Sequence, residues 1–125
     1  LEVSNAGHMP PVYWTEEVGA RLARIPGTAL GLLTGRAFVG MVREARIPLV
    51  PGSRLMLYTD GVVEAMDTQD REFTDHALMR VVDESEGRSS RDTVAAVVAA
   101  LQRHRGPAEQ NDDITMVCLS RNRKT

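Results

Sequence analysis

Several things are scarce in this sequence, and each scarcity narrows what the chain can be. It has one cysteine, Cys118, in 125 residues, so no intramolecular disulfide can form and a reducing compartment is expected. Neither sign of charge dominates: 15 Lys and Arg against 17 Asp and Glu leave a formal net charge of −2. A general nucleic-acid binder is normally clearly basic, and a basic membrane-surface protein needs the same excess, so both classes drop out. The longest apolar run is the eight residues Val94 to Leu101, against the roughly 20 needed to span a bilayer. The opening residues do not read as a secretory leader, and a soluble, cytoplasmic chain is the expectation. Aromatic residues are few, two Phe, two Tyr and one Trp, which assigns Tyr13 and Trp14 to packing rather than to a binding surface.

What is present is enough for a core: 42% of the residues are hydrophobic, in a length typical of one domain or part of one. Leu1 stands where an initiator Met would, and Leu1 to Ser4 reads as a strand entered midway. The chain is therefore expected to be a piece of a longer protein. Val12-Tyr13-Trp14 carries β-favouring side chains. Gly27 to Leu32 is too glycine-rich for a helix or a central strand and is expected to be a loop that packs close to something else. Phe38 to Ile47 reads as an imperfect strand. Pro51-Gly52 marks a tight turn before the apolar run Arg54 to Thr59, a buried strand.

The second half changes period. Asp75 is expected to cap a helix running through Glu86. Ser89-Ser90-Arg91-Asp92 has a capping-box pattern. The stripe Val94, Val97, Val98 and Leu101 then predicts a helix with a core-facing side, ending at Gly106-Pro107. Ile114 to Leu119 reads as a returning strand in which Cys118 is a small buried hydrophobe. The sum is an α/β (α+β) domain without regular βαβ alternation.

Two acidic loops stand at strand ends. Asp60 follows Leu55 to Thr59 and precedes Gly61 and Glu64; Asp112 and Asp113 precede Ile114 to Leu119. If the two strands are neighbours, Asp60 and Asp112 meet at one end of a sheet although 112 − 60 = 52 positions separate them. Carboxylates gathered there repel unless a cation neutralises them, and oxygen-only ligands favour Mg²⁺ or Mn²⁺. Three His and one Cys give little support to zinc. The plainer alternative is an ordinary Asp-Gly turn and a solvated Asp-Asp loop. His8 lies on a turn between Gly7 and Pro10, available to a ligand but equally at home as an exposed or hydrogen-bonding residue. The cluster Arg121 to Lys124 reads as a solvated tail.

The order of the motifs says more than any one of them. Asn5-Ala6-Gly7-His8-x-Pro10-Pro11 comes first, then Ala29-Leu30-Gly31-Leu32. Pro51-Gly52-x-Arg54-Leu55-x-Leu57-Tyr58-Thr59-Asp60-Gly61-Val62-x-Glu64-Ala65 follows, and Asp112-Asp113-Ile114-Thr115 comes last. This resembles the SpoIIE-like branch of the metal-dependent protein phosphatases, the PPM or protein phosphatase 2C-like enzymes. The resemblance covers residues 1–121, with 122–125 as a tail, and corresponds to the C-terminal part of the phosphatase domain.

The resemblance implies a β-sandwich flanked by helices, with a two-metal Mn²⁺ or Mg²⁺ site at one end. It implies hydrolysis of phosphoserine or phosphothreonine on a regulatory protein, such as a phosphorylated anti-sigma-factor antagonist in sigma-factor or stress signalling. The nucleophile in such a site is a water or hydroxide between cations about 3.5–4 Å apart. By position, Asp60 and Asp112 match metal-ligating aspartates. Asp113, Gly61 and Asn5 fall in the shell around them, and His8 and Glu64 match accessory positions. Met9 departs from the Asn common after Asn-Ala-Gly-His. The family's upstream aspartate motifs have no counterpart here, so the isolated chain is expected to be inactive and its uncovered sheet edges to favour a homodimer. The runner-up reading is a non-catalytic, phosphatase-like binding module; hydrolysis of small phosphoesters is a third.

Overall fold

The computed structural model describes residues 1–123; Lys124 and Thr125, in the expected tail, lie outside the described residues. Six strands and four helices follow in the order β1 (Glu2–Ser4), β2 (Val12–Thr15), β3 (Gly19–Leu22), α1 (Gly35–Met41), β4 (Glu44–Arg46), β5 (Arg54–Tyr58), α2 (Asp60–Val63), α3 (Thr74–Asp83), α4 (Ser90–Arg105) and β6 (Met116–Ser120). They form a mixed α+β domain with a four-stranded sheet of order β3-β2-β5-β6 and a two-stranded sheet β1-β4, antiparallel throughout.

Alternation along the central strands explains the layering. On β2, Val12 and Trp14 face α3 and α4, while Tyr13 faces the other way with Leu55 of β5. The larger core joins Val12, Trp14, Met56 and Tyr58 to Leu78 and Val82 of α3 and to Val97 and Leu101 of α4. The smaller core holds Tyr13, Ile25, Ile47 and Leu55, with Val3 of β1 and Ala45 of β4 packed against it. Side chains such as Leu78, with no exposed surface, contribute about 1.5–3 kcal/mol each by leaving water. The molecule is thus layered as helices, four-stranded sheet, two-stranded sheet. Strand β6 lies at a sheet edge beyond the small sheet's cover: Met116 and Cys118 pack on the helix side, and Val117 and Leu119 stay exposed.

Local chemistry sets the element ends. Ser89 caps α4, its Oγ accepting from the Asp92 N–H at 3.1 Å and donating to the Asp92 carboxylate at 2.7 Å. This differs from a full capping box, because the short Asp side chain bonds the hydroxyl rather than a backbone N–H. Gly106 ends the helix at φ +55°. Between α2 and α3, Asp67 braces a loop: Oδ1 accepts from the N–H groups of Gln69 and Arg71, and Oδ2 holds the Arg71 guanidinium. The Arg71 backbone bond leads, with the Arg71 side chain and the Gln69 backbone N–H adding to it, in lowering the Asp67 carboxyl to about 2.

Five expectations need correction. Phe38–Ile47 is not one strand: Gly35–Met41 is helix α1 and only Glu44–Arg46 is strand. Asp75 does not cap α3, which runs Thr74–Asp83 and stops short of Glu86; it sits in the first turn, and Thr74 Oγ1 accepts a long bond of 3.4 Å from Ala77. Val98 leaves the core stripe at 38% exposure, because the sheet covers only the narrower face holding Thr93, Val97, Ala100 and Leu101. The last strand begins at Met116 rather than Ile114. Arg121 is not merely solvated, since its guanidinium donates to the Leu49 carbonyl at 2.8 Å. Strand β3 has no counterpart in the sequence reading; it exists through pairing with β2 in the register Val12↔Leu22 to Thr15↔Gly19.

The glycine-rich loop does pack closely. Asn5 and Gly27 form a bridge so tight that a Cβ on Gly27 would lie 1.8 Å from the Asn5 carbonyl oxygen.

Candidate functional site

Strands β5 and β6 pair antiparallel from Arg54↔Ser120 to Tyr58↔Met116. The end of β5 and the start of β6 therefore lie side by side, and the residues just beyond them, Asp60 and Asp112-Asp113, emerge at the same end of the sheet. Val12↔Met56 pairing brings the start of β2, and with it the turn that carries His8, to that end as well.

Thr59 fastens the two acidic loops together. Its N–H donates to the Thr115 carbonyl at 3.1 Å, its Oγ1 donates to the Asp113 carbonyl at 2.9 Å, and the same oxygen accepts from the Thr115 N–H at 3.0 Å. Gly61 supplies the room. A Cβ there would fall 2.5 Å from the Asp113 carbonyl oxygen and 3.3 Å from Asp112 Cβ, so only glycine lets the Asp112–Asp113 backbone approach this closely. Asp60 Oδ1 accepts from the Gly61 N–H at 3.0 Å, and Asp112 Oδ1 from the Asp113 N–H at 2.7 Å. Both aspartates are exposed. Gln110 Nε2 donates to the Asp112 carbonyl at 2.8 Å and steadies that loop from the α4 side.

The other expected residues are arranged differently. Asn5 and His8 bond one another: the His8 N–H donates to Asn5 Oδ1 at 2.8 Å, and Asn5 Nδ2 donates to the His8 carbonyl at 2.9 Å. Asn5 therefore shapes the turn that presents His8. The exposed His8 ring has Nδ1 3.1 Å from the Met9 carbonyl. Glu64 follows the end of α2 with its N–H on the Asp60 carbonyl at 2.9 Å and its side chain exposed. The carbonyl of Asp113, rather than its carboxylate, makes the contacts to Thr59 and Gly61.

Thr59, Gln110 and Tyr58 complete the neighbourhood and were not singled out from sequence. Thr59 had a signal, its place inside the Tyr58-Thr59-Asp60-Gly61 run; Gln110 had none. The Tyr58 hydroxyl is buried without a hydrogen-bond partner among the described residues. Burial first, then the Asp75 charge, push its phenol up, which keeps it neutral.

The donor set matches a hard cation in kind. It is all oxygen, and the two carboxylate loops pack closely at Gly61. It is short in number: among the described residues, no three His, Cys, Asp or Glu side chains group closely enough to hold a metal ion. Asp60 and Asp112 supply carboxylate oxygens, the donor type that Mg²⁺ and Mn²⁺ take.

This mixed α+β arrangement of antiparallel sheets and helices matches solved PP2C-type phosphatase domains in fold. The SiaA PP2C domain of Pseudomonas aeruginosa matches with a TM-score of 0.76 at 21% identity, over 95% of this chain and 46% of that one. The PP2C phosphatase domain of SpoIIE from Bacillus subtilis, with a fragment of its regulatory domain, matches at 0.74 and 16%, over 94% and 32%. A structure of the RsbU and RsbW domains of Rv1364c from Mycobacterium tuberculosis matches at 0.61 and 25%, over 99% and 34%. The chain thus spans less than half the length of each. The family model for Stage II sporulation protein E (SpoIIE) matches residues 1–122, and the chain belongs to that family. No curated protein sequence matches it. Among the described residues no helix is long and apolar enough to cross a membrane.

Proposed function

We propose that this chain contributes Asp60 and Asp112 to a Mn²⁺- or Mg²⁺-dependent serine/threonine protein phosphatase, a cytoplasmic enzyme acting on a regulatory phosphoprotein. Membership of the SpoIIE family supports the phosphatase class. The observation that carries the reading is the close approach of the two acidic loops at Gly61. When bound, the cations would supply an activated water and offset the phosphate charge. Asp60 and Asp112 would hold them from adjacent strand ends, while Thr59 keeps the loops in register and Gly61, lacking a side chain, lets them approach. His8, on the same end of the sheet, would face the substrate side, and Glu64 would lie in the outer region.

The substrate we favour is a phosphorylated anti-sigma-factor antagonist, following the family resemblance and the likeness to a structure that contains RsbU and RsbW domains. The homodimer expected from unpaired edges has candidate seams at β3 and β6, the edges of the four-stranded sheet, and sedimentation velocity decides it. The alternative is a non-catalytic, phosphatase-like binding module.

The test is a phosphopeptide assay with Mn²⁺ on the full-length protein. Asp60→Asn and Asp112→Asn should each lower turnover by more than about 100-fold, since losing even an outer partner of a metal ligand costs about 10–100-fold. Folding stability should barely change, because removing one of two neighbouring carboxylates relieves repulsion in the metal-free fold. His8→Ala should be milder. Near-normal turnover of both Asp variants at low Mn²⁺ would refute the assignment, and inactivity of the full-length protein at every Mn²⁺ level would favour the binding module.

A further inference from the structure

We propose that the end of the four-stranded sheet opposite Asp60 carries a binding pocket for a phosphate monoester dianion. A cavity of about 360 Å³ opens there, where β5 begins, β6 ends and the α3–α4 connection passes. This is within the range of small-ligand sites and larger than a phosphate needs. Four arginines line it: Arg54, Arg88, Arg121 and Arg123. Two acids, Glu16 and Glu86, line it too, so the wall keeps a surplus of two positive charges.

The pairing of these groups makes the surplus meaningful. Among the described residues, Arg123 alone of the four is paired with a carboxylate, that of Glu16. Arg54 is 5% exposed, lies 4.9 Å from the Trp14 ring centroid and donates to the carbonyls of Ser85 and Arg88. Among the described residues this buried guanidinium is held by carbonyls and a ring and has no counter-ion, and a desolvated cation without one is costly. Those bonds fix the guanidinium in place, so it is preorganised for an anion. On the β6 side, Ser90 Oγ donates to Ser120 Oγ at 2.7 Å, which leaves the Ser120 hydroxyl hydrogen as a further donor. An arginine-rich wall with a hydroxyl donor suits a compact dianion with several acceptor oxygens. The pocket does not depend on the role given to Asp60 and Asp112.

Calorimetric titration of the full-length protein tests this, with EDTA present so that no cation can hold the phosphate. The probes are inorganic phosphate, a phosphoserine peptide and the same peptide without phosphate. Phosphate-dependent binding is expected, weakened about tenfold by Arg88→Ala and by Arg121→Ala, the loss of one charge-assisted contact. Glu86→Gln should tighten it, a gain that misfolding cannot mimic. Binding of the phosphopeptide without inorganic phosphate supports a phosphoprotein as the source, and equal or tighter binding of inorganic phosphate supports the free ion. The proposal is overturned if neither probe binds or if the unphosphorylated peptide binds as well. Indifference of phosphate binding to all three substitutions overturns it too.

Discussion

Helix α4 buries Thr93, Val97, Ala100 and Leu101 against the sheet, whereas α1 buries none of its seven residues. Apolar content does not separate them. The stretch around α1 carries Leu30, Leu32 and Val39 at 75%, 73% and 73% exposure, side chains as hydrophobic as any in the core. The difference is a partner surface: β2, β5 and β6 present Trp14, Met56 and Cys118 to the helix layer, and among the described residues nothing comparable covers α1. Termini differ in the same sense. Ser89 caps α4 with its hydroxyl, while Thr34, the residue at the matching place before α1, makes no such bond. A helix is held by what it packs on and by its cap, and among the described residues α1 has neither.

The most forceful way to break that comparison is to cut into both regions. Leu78→Ala, at a site with no exposed surface, should cost about 2–5 kcal/mol in urea or thermal unfolding. Val39→Ala should stay within about 0.5 kcal/mol. Equal costs would mean that α1 is covered in solution, by a second copy or by more of the protein. The caps give a finer contrast. Ser89→Ala should cost about 1 kcal/mol and Thr34→Ala close to nothing, as read from unfolding midpoints; a Thr34 effect as large would show a cap that forms only in solution.

The smallest effect concerns pH. Asp67 has a folded pKa of about 2, below its ordinary 3.8, so its bonds to Gln69 and Arg71 stabilise the fold fully above the unfolded value. That contribution is lost as pH falls through the folded one. The stability gap between the native protein and Asp67→Asn should be constant near neutral pH and close as pH falls from about 4 to about 2. A gap that persists at the acid end would mean that the loop is held by something other than this carboxylate.

Short-range chemistry was readable in the residues themselves. Ser89 before an apolar stripe announces a helix start and Gly106 its end. Pro51-Gly52 announces a turn, and an apolar run before Asp60 announces a strand with an acid at its tip. The motif order gave the family, and with it the architecture, because chemistry-bearing residues in a set sequence are informative without any contact being known. Other features depended on which surfaces meet. Val98 and Val97 are adjacent and chemically identical, yet only Val97 finds the sheet. Strand β3 exists because β2 offers it a ladder, and Phe38 and Val39 lie in a helix despite β-favouring side chains.

The approach of Asp112 to Asp60 belongs to that second class. Nothing local links positions 52 apart; the antiparallel pairing of β5 with β6 does, and Gly61 with Thr59 sets how close the loops come. The burial of Arg54 beside Trp14 is of the same kind. By itself the sequence determined which residues could cap, turn, pack or bind a cation, since those capacities reside in single side chains and their near neighbours. Only the tertiary structure decided which of them meet, because pairing and burial depend on surfaces assembled from distant parts of the chain.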